Sequence, residues 1–220
     1  MTKYDFEPIQ VYNKSMSIIN KGFVGKGGAD QDRLPPGQTR VASWPVLTYG
    51  PTPHVDTKTW SLTIDGAVNK PITLDWEAFN KLGKTILKTD IHCVTRWSRF
   101  DMPWEGVSLD DLIGLAGGLT PDAKHVIATT VEGYTTNVPV RDVINNQAMV
   151  ATMADGEPLT PEHGGPARLF VPHLYFWKSA KWIQRLTFTS DDHPGFWEVN
   201  GYHNYGDPWK EERYSDDVNW

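Results

Sequence analysis

With 19 glycines and 16 prolines spread along 220 residues, this chain offers few stretches in which a helix or strand can run long. Proline removes a backbone donor, and glycine carries conformational freedom that regular structure must give up. Short elements remain. Trp60, Leu62 and Ile64 alternate with Ser61, Thr63 and Asp65 at the period of a half-buried strand, and Gly66 closes the run. Ile72-Thr73-Leu74 follows Pro71 as a second strand. Asp75 is placed to cap a short helix with Trp76, Phe79 and Leu82 on one side and Gly83 at its end. Lys84 to Val94 reads as a strand that delivers Cys93 to its carboxyl end. Ser108 and Asp111 form a capping-box-like pair ahead of the helical stripe Leu109, Leu112, Ile113, Leu115 and Ala116. Residues 125–131, 134–138, 149–153, 169–171 and 182–188 read as further strands, and 140–145 as a helical turn. Mixed short strands and helices predict an α+β fold.

The organisation expected is an irregular N-terminal arm over 1–43 and a single domain over 44–220. Three prolines and a glycine fall in the ten residues from Trp44 to Pro53, a loop of fixed shape that a binding site can use. From about residue 191 the chain turns aromatic and polar, which reads as a C-terminal wrap. A formal charge of −6 argues against a general nucleic-acid binder, which needs a basic face. No run reaches the ~18 apolar residues of a membrane helix, and the N-terminus lacks an apolar leader. One cysteine forms no internal disulfide and no multi-cysteine zinc site, so a cytoplasmic location is expected.

Two constellations carry chemistry. The first is His92-Cys93-Val94-Thr95-Arg96-Trp97-Ser98-Arg99, in which the only cysteine is followed at once by arginines and a tryptophan. A thiolate needs nearby positive charge or a metal. A hydrolase reading with His92 as base fails, because adjacent strand residues face opposite sides. A buried structural cysteine is the bland alternative. The second is Gly164-Gly165-Pro166-Ala167-Arg168, leading into Trp177-Lys178-Ser179-Ala180-Lys181-Trp182. Cations, a hydroxyl and a tight glycine turn suit a phosphate monoester; a solvated basic stretch is the alternative. Dinucleotide, P-loop, zincin and nucleophile-elbow motifs do not occur.

Taken in order, the loop at 47–56, the H-C-V-T-R-W-S segment and G-G-P-A-R-L-F-V-P…W-K-S-A-K-W resemble the sulfite oxidase-type molybdopterin oxidoreductases. The resemblance extends from L-P-P-G-Q at 34–38 to G-Y-H-N-Y-G-D-P-W at 201–209 and is nearest the compact bacterial sulfite oxidase-like proteins. It implies that family's catalytic fold, with mixed β-sheets and short helices, and a cofactor of molybdenum held by molybdopterin. Cys93 then matches the metal ligand; a soft thiolate suits such a metal. Arg168, Lys178, Ser179 and Lys181 match the grip on pterin and phosphate, Thr48, Tyr49 and Gly50 the loop along the pterin, and Asn137 a polar position reaching the cofactor. Arg96 is the expected substrate-facing cation and Tyr134 a pocket tyrosine. Arg99 either faces substrate or pairs with Asp101.

The resemblance further implies two-electron oxygen-atom transfer on a small oxo-substrate, as oxidation of a sulfite-like anion or reduction of an S- or N-oxide. Leu47 stands where sulfite oxidases carry an arginine, and the W-S pair is similar to methionine-sulfoxide reductase catalytic subunits, with Thr95 where those have an acidic residue. No heme domain is expected in the chain, so electrons would pass to or from a separate partner. A molybdopterin carrier or storage protein is the non-enzymatic alternative.

Overall fold

The computed structural model describes residues 31–215. The chain divides into two compact units, Met1–Arg33 and Leu34–Trp220. Of the first, the 3-10 turn Gln31–Arg33 is described; the rest of the expected arm up to residue 30 lies outside the described residues, as do the last five residues of the wrap.

Among the described residues of the second unit, eleven strands make two sheets. The first is organised on β5 (Trp97–Ser108), which pairs with β4 (Thr85–His92), with the two-residue β1 (Thr39–Arg40) in parallel, and with β8 (Met149–Ala154). β8 continues the sheet to β10 (Arg168–Phe170) and the short β9 (Glu157–Pro158). The second sheet runs in the order β3 (Ile72–Asp75), β2 (Ser61–Gly66), β11 (Ile183–Thr189), β6 (His125–Thr130), β7 (Thr135–Pro139).

The sequence reading missed β5, the longest strand. Phe100, Met102 and Trp104 alternate with Arg99, Asp101 and Pro103 at period two, but Pro103 argues against an interior strand. It is tolerated because β8 has ended at Ala154. The Pro103 carbonyl accepts the Asp155 N–H at 2.9 Å on that edge, where its missing donor costs nothing. Gly106 is required for a different reason: a Cβ there would lie 2.2 Å from the Val150 carbonyl oxygen. Within the first sheet, β8 and β10 are buried on both faces. Val150 and Leu169 point into the main apolar core with Leu62, Ile64, Phe79 and Leu186, while Met149, Ala151 and Phe170 point into a second cluster with Trp97, Met102 and Trp104.

The helices are short and capped by the residues expected. Asp75 accepts from the Ala78 N–H at 2.8 Å ahead of α1 (Trp76–Asn80), which stops before Leu82. Ser108 accepts from the Asp111 N–H at 3.1 Å ahead of α2 (Leu109–Leu115).

Within the wrap, α3 (Phe196–Val199) presents Glu198 inward. Its Oε1 accepts from Lys178 Nζ at 2.6 Å, Trp177 Nε1 at 2.8 Å and Thr136 Oγ1 at 3.0 Å. Lys178 also donates to the carbonyls of Asn204 (2.6 Å) and Asn137 (2.9 Å) and to Asn137 Oδ1 (3.0 Å). Both charged side chains are 1% exposed. A buried pair contributes little over an apolar one, but removing one partner strands the other. Lys178→Met should therefore lose about 3–5 kcal/mol of unfolding free energy in urea, and Lys178→Met combined with Glu198→Leu should lose less than the sum of the single losses. A single-variant loss below about 1 kcal/mol would show the pair to be dispensable.

Candidate active site

Cys93 opens the four-residue hairpin loop, residues 93–96, between β4 and β5. Its N–H donates to the Trp97 carbonyl at 2.9 Å, and its carbonyl accepts the Arg96 N–H at 3.1 Å. Arg96 occupies the left-handed position of the loop, φ +72°. Two side chains clamp the loop from behind: Gln38 Nε2 donates to the Cys93 carbonyl at 2.9 Å, and Arg213 Nη1 to the Val94 carbonyl at 2.6 Å. Thr95 Oγ1 donates to Cys93 Sγ at 3.1 Å. Burial pushes the thiol up, opposed by the Thr95 hydroxyl, neighbouring backbone N–H groups and the Arg213 charge. His92 faces the other side, with Nδ1 2.8 Å from Ser98 Oγ.

This geometry corrects the reading of the two arginines. The αL turn directs Arg96 outward, 63% exposed and 3.9 Å from Glu211 Oε1. Arg99 lies on β5 and pairs with Asp155 at 2.5 Å, neither facing the Cys93 cavity nor bound to Asp101.

The thiol forms part of the wall of a cavity of about 540 Å³. Thr48, Tyr49, Tyr134, Arg168, Ser179 and Lys181 line it as well; Gly50, Asn137 and Lys178 do not. Arg168 is 1% exposed. It donates to the carbonyls of His163 (2.8 Å) and Ser179 (2.5 Å), and its Cζ lies 4.2 Å from the Phe176 ring centroid. Its Nε is buried without a partner. Burial, only partly opposed by Tyr134 and Cys93, pushes this guanidinium down to about 9. Lys181 Nζ donates to the carbonyls of Leu47 and Glu162, both at 2.7 Å, tethering the exposed 45–50 loop. Burial and then Arg168 push it down to about 8. Gly164, at φ +97°, lets the preceding loop lie on Lys181: a Cβ there would come within 2.9 Å of the Lys181 Cβ.

Several expected contacts are redirected. Lys178 and Asn137 belong to the buried Glu198 network, so this lysine is not free to grip a phosphate. The N–H groups of Gly164 and Gly165 are spent on the Pro161 and Thr160 carbonyls. Ser179 Oγ accepts the Val171 N–H at 2.9 Å. Tyr134 donates to the Trp177 carbonyl at 2.9 Å, and burial with nearby Glu198 keeps its phenol protonated.

Other residues were not anticipated. His163 stacks on Trp44 (centroids 3.8 Å apart, planes 11° apart), is pushed down by burial and so is neutral, and has a buried Nε2 with no partner. Trp97, Trp177, Trp197 and Tyr202 complete the walls. A histidine in P-E-H-G-G is a loop residue by every local rule, and only its stack and orphaned nitrogen single it out.

The site thus joins one thiol, two cations whose hydrogen-bond acceptors among the described residues are carbonyls, unpartnered nitrogens on Arg168 and His163, and aromatic walls. That donor set fits a flat, anionic group carrying a soft metal.

Residues 49–197 match the family described as oxidoreductase molybdopterin binding domain. The chain is 46% identical over 184 residues to the uncharacterized oxidoreductase YuiH of Bacillus subtilis, covering 83% of this chain and 92% of that one. It is 29% identical to the protein-methionine-sulfoxide reductase catalytic subunit MsrP of Campylobacter jejuni, covering 70% of this chain but 57% of the relative. The sulfane dehydrogenase SoxCD of Paracoccus pantotrophus superposes with TM-score 0.58 at 25% identity, over 64% of this chain and 40% of that one. No described helix is long and apolar enough to cross a membrane. The chain belongs to the sulfite oxidase-type family of molybdopterin-binding oxidoreductases, enzymes whose cofactor is molybdenum held by molybdopterin.

Proposed function

We propose that this protein carries out oxygen-atom transfer on a small neutral oxide, an S-oxide or N-oxide, with Cys93 as the protein ligand to molybdenum. The observation that carries the reading is one cavity with the chain's only thiol in its wall and two cations, Arg168 and Lys181, in the same lining. Bound there, the cofactor supplies the two-electron oxygen-transfer chemistry. Arg168 and Lys181 would neutralise its anionic phosphate, Ser179 would add a hydroxyl, and the loop Thr48-Tyr49-Gly50, tethered through Leu47 to Lys181, would help hold it. His163, with its unpartnered Nε2, would offer it a further hydrogen-bonding group.

Two facts support a neutral substrate over sulfite. Arg96 and Arg99 are paired with Glu211 and Asp155 outside the cavity, and the walls shared with Cys93 include Trp97, Trp177, Trp197 and Tyr202. With Arg168 and Lys181 engaged by the cofactor phosphate, an anionic substrate against these walls would lack the further cations that desolvation demands. Tyr134, held protonated, braces the Trp177 carbonyl and does not act as a base. Electrons come from a separate protein, in keeping with relatives named as subunits. A single free cysteine suits the reducing cytoplasm.

Turnover of a dialkyl sulfoxide with a reduced dye should exceed oxidation of sulfite with an artificial acceptor by at least about tenfold in kcat/KM, a difference of about 1.4 kcal/mol; preferred sulfite oxidation would reverse the assignment. Cys93→Ser should keep the pterin but lose turnover, whereas a carrier protein would be indifferent to the change.

The Lys181 charge carries a pH dependence. Protonated Lys181 attracts the phosphate, and the bound anion raises its pKa, so binding takes up a proton above about 8. Molybdenum retained through gel filtration should therefore fall as pH rises from about 7 to about 9. Lys181→Met should weaken retention about tenfold at neutral pH and flatten that dependence; an unchanged profile would remove Lys181 from the phosphate site.

A further inference from the structure

We propose that Thr95 is a positioning residue for the metal ligand, its hydroxyl holding the Cys93 sulfur and raising the reduction potential of the bound molybdenum; this rests on the reading that Cys93 ligates the metal. The Thr95 Oγ1–Cys93 Sγ distance is 3.1 Å, and among the described residues no other side chain donates to that sulfur. The hydroxyl is not a chance contact of a loose loop. Both residues lie in the four-residue hairpin loop 93–96, held by the Cys93–Trp97 and Arg96–Cys93 backbone bonds. Gln38 fixes the Cys93 carbonyl and Arg213 fixes the Val94 carbonyl. With the backbone pinned at 93 and 94, the vector from hydroxyl to sulfur is set by the fold. Thr95 also lines the cavity and is otherwise exposed, so its side chain packs in no core that would explain it.

A thiolate bound to a metal keeps lone pairs directed away from that bond, and an O–H can remain on one of them. Such a hydrogen bond does two things. It selects one orientation of the sulfur, and it withdraws electron density from the ligand, which makes the metal easier to reduce. Hydrogen bonds to sulfur ligands shift potentials in this direction in other metal–sulfur centres. A threonine hydroxyl carries no charge at any working pH, so this effect is constant where a carboxylate's would titrate.

The test uses the purified holoenzyme with Thr95→Val, Thr95→Ser and Cys93→Ser. Valine keeps the shape of threonine without the donor, and serine restores the donor. Molybdenum content and the midpoint potential of the metal are measured in each. The expected result is molybdenum content close to wild type in both Thr95 variants, a more negative midpoint potential in Thr95→Val, and a wild-type potential in Thr95→Ser. A Thr95→Val potential equal to wild type, in a preparation where Cys93→Ser does alter the metal's potential, overturns the role of Thr95 alone. A Cys93→Ser potential equal to wild type overturns the ligation on which it rests. A negative shift in Thr95→Val that Thr95→Ser fails to restore also overturns it, since packing rather than the donor would then be responsible.

Discussion

A guanidinium buried at 1% exposure, with carbonyl oxygens and aromatic faces for neighbours, is the constraint around which this domain is arranged. Taking a full charge out of water costs several kcal/mol unless it is compensated, and Arg168 is compensated by carbonyl dipoles and by the faces of Phe176, Trp44 and Trp104. Lys181 adds a second cation to the same cavity, and each holds its carbonyl acceptors in place. The fold therefore supplies positive potential ahead of any ligand. In a chain of net charge −6 that concentration is a local device, not a property of composition.

The opposite treatment is given to Lys178, which lies three residues before Lys181. Lys178 is as buried as Arg168 but fully paired, and its partner Glu198 ties the Trp177 wall to the C-terminal wrap. One lysine holds the cavity together while the other faces into it. The Cys93 loop shows a similar division of labour: the side chains of Gln38 and Arg213, from the two ends of the described domain, fix its backbone and leave the thiol facing the cavity.

Most of the fold was legible because its signals are local. Alternation at Trp60–Asp65 and the caps at Asp75 and Ser108 need only neighbours in sequence to be read. β5 was not legible, because Pro103 breaks the rule for interior strands unless one knows where β8 ends. In the site, Cys93, Arg168 and Lys181 could be singled out by residue type and company. The outward turn of Arg96 could not, since it follows from a left-handed φ within the loop. Nor could Lys178 be separated from Lys181 by spacing in W-K-S-A-K-W; the difference is Glu198, twenty residues on. His163 required the stack with Trp44 to be seen.

The central claim is that Cys93 is the protein's sulfur ligand to molybdenum. X-ray absorption at the molybdenum edge of the purified holoenzyme and of Cys93→Ser, with pterin content matched, tests it most directly. The account predicts one fewer sulfur around the metal in the variant, replaced by a lighter neighbour. An unchanged sulfur count would contradict it.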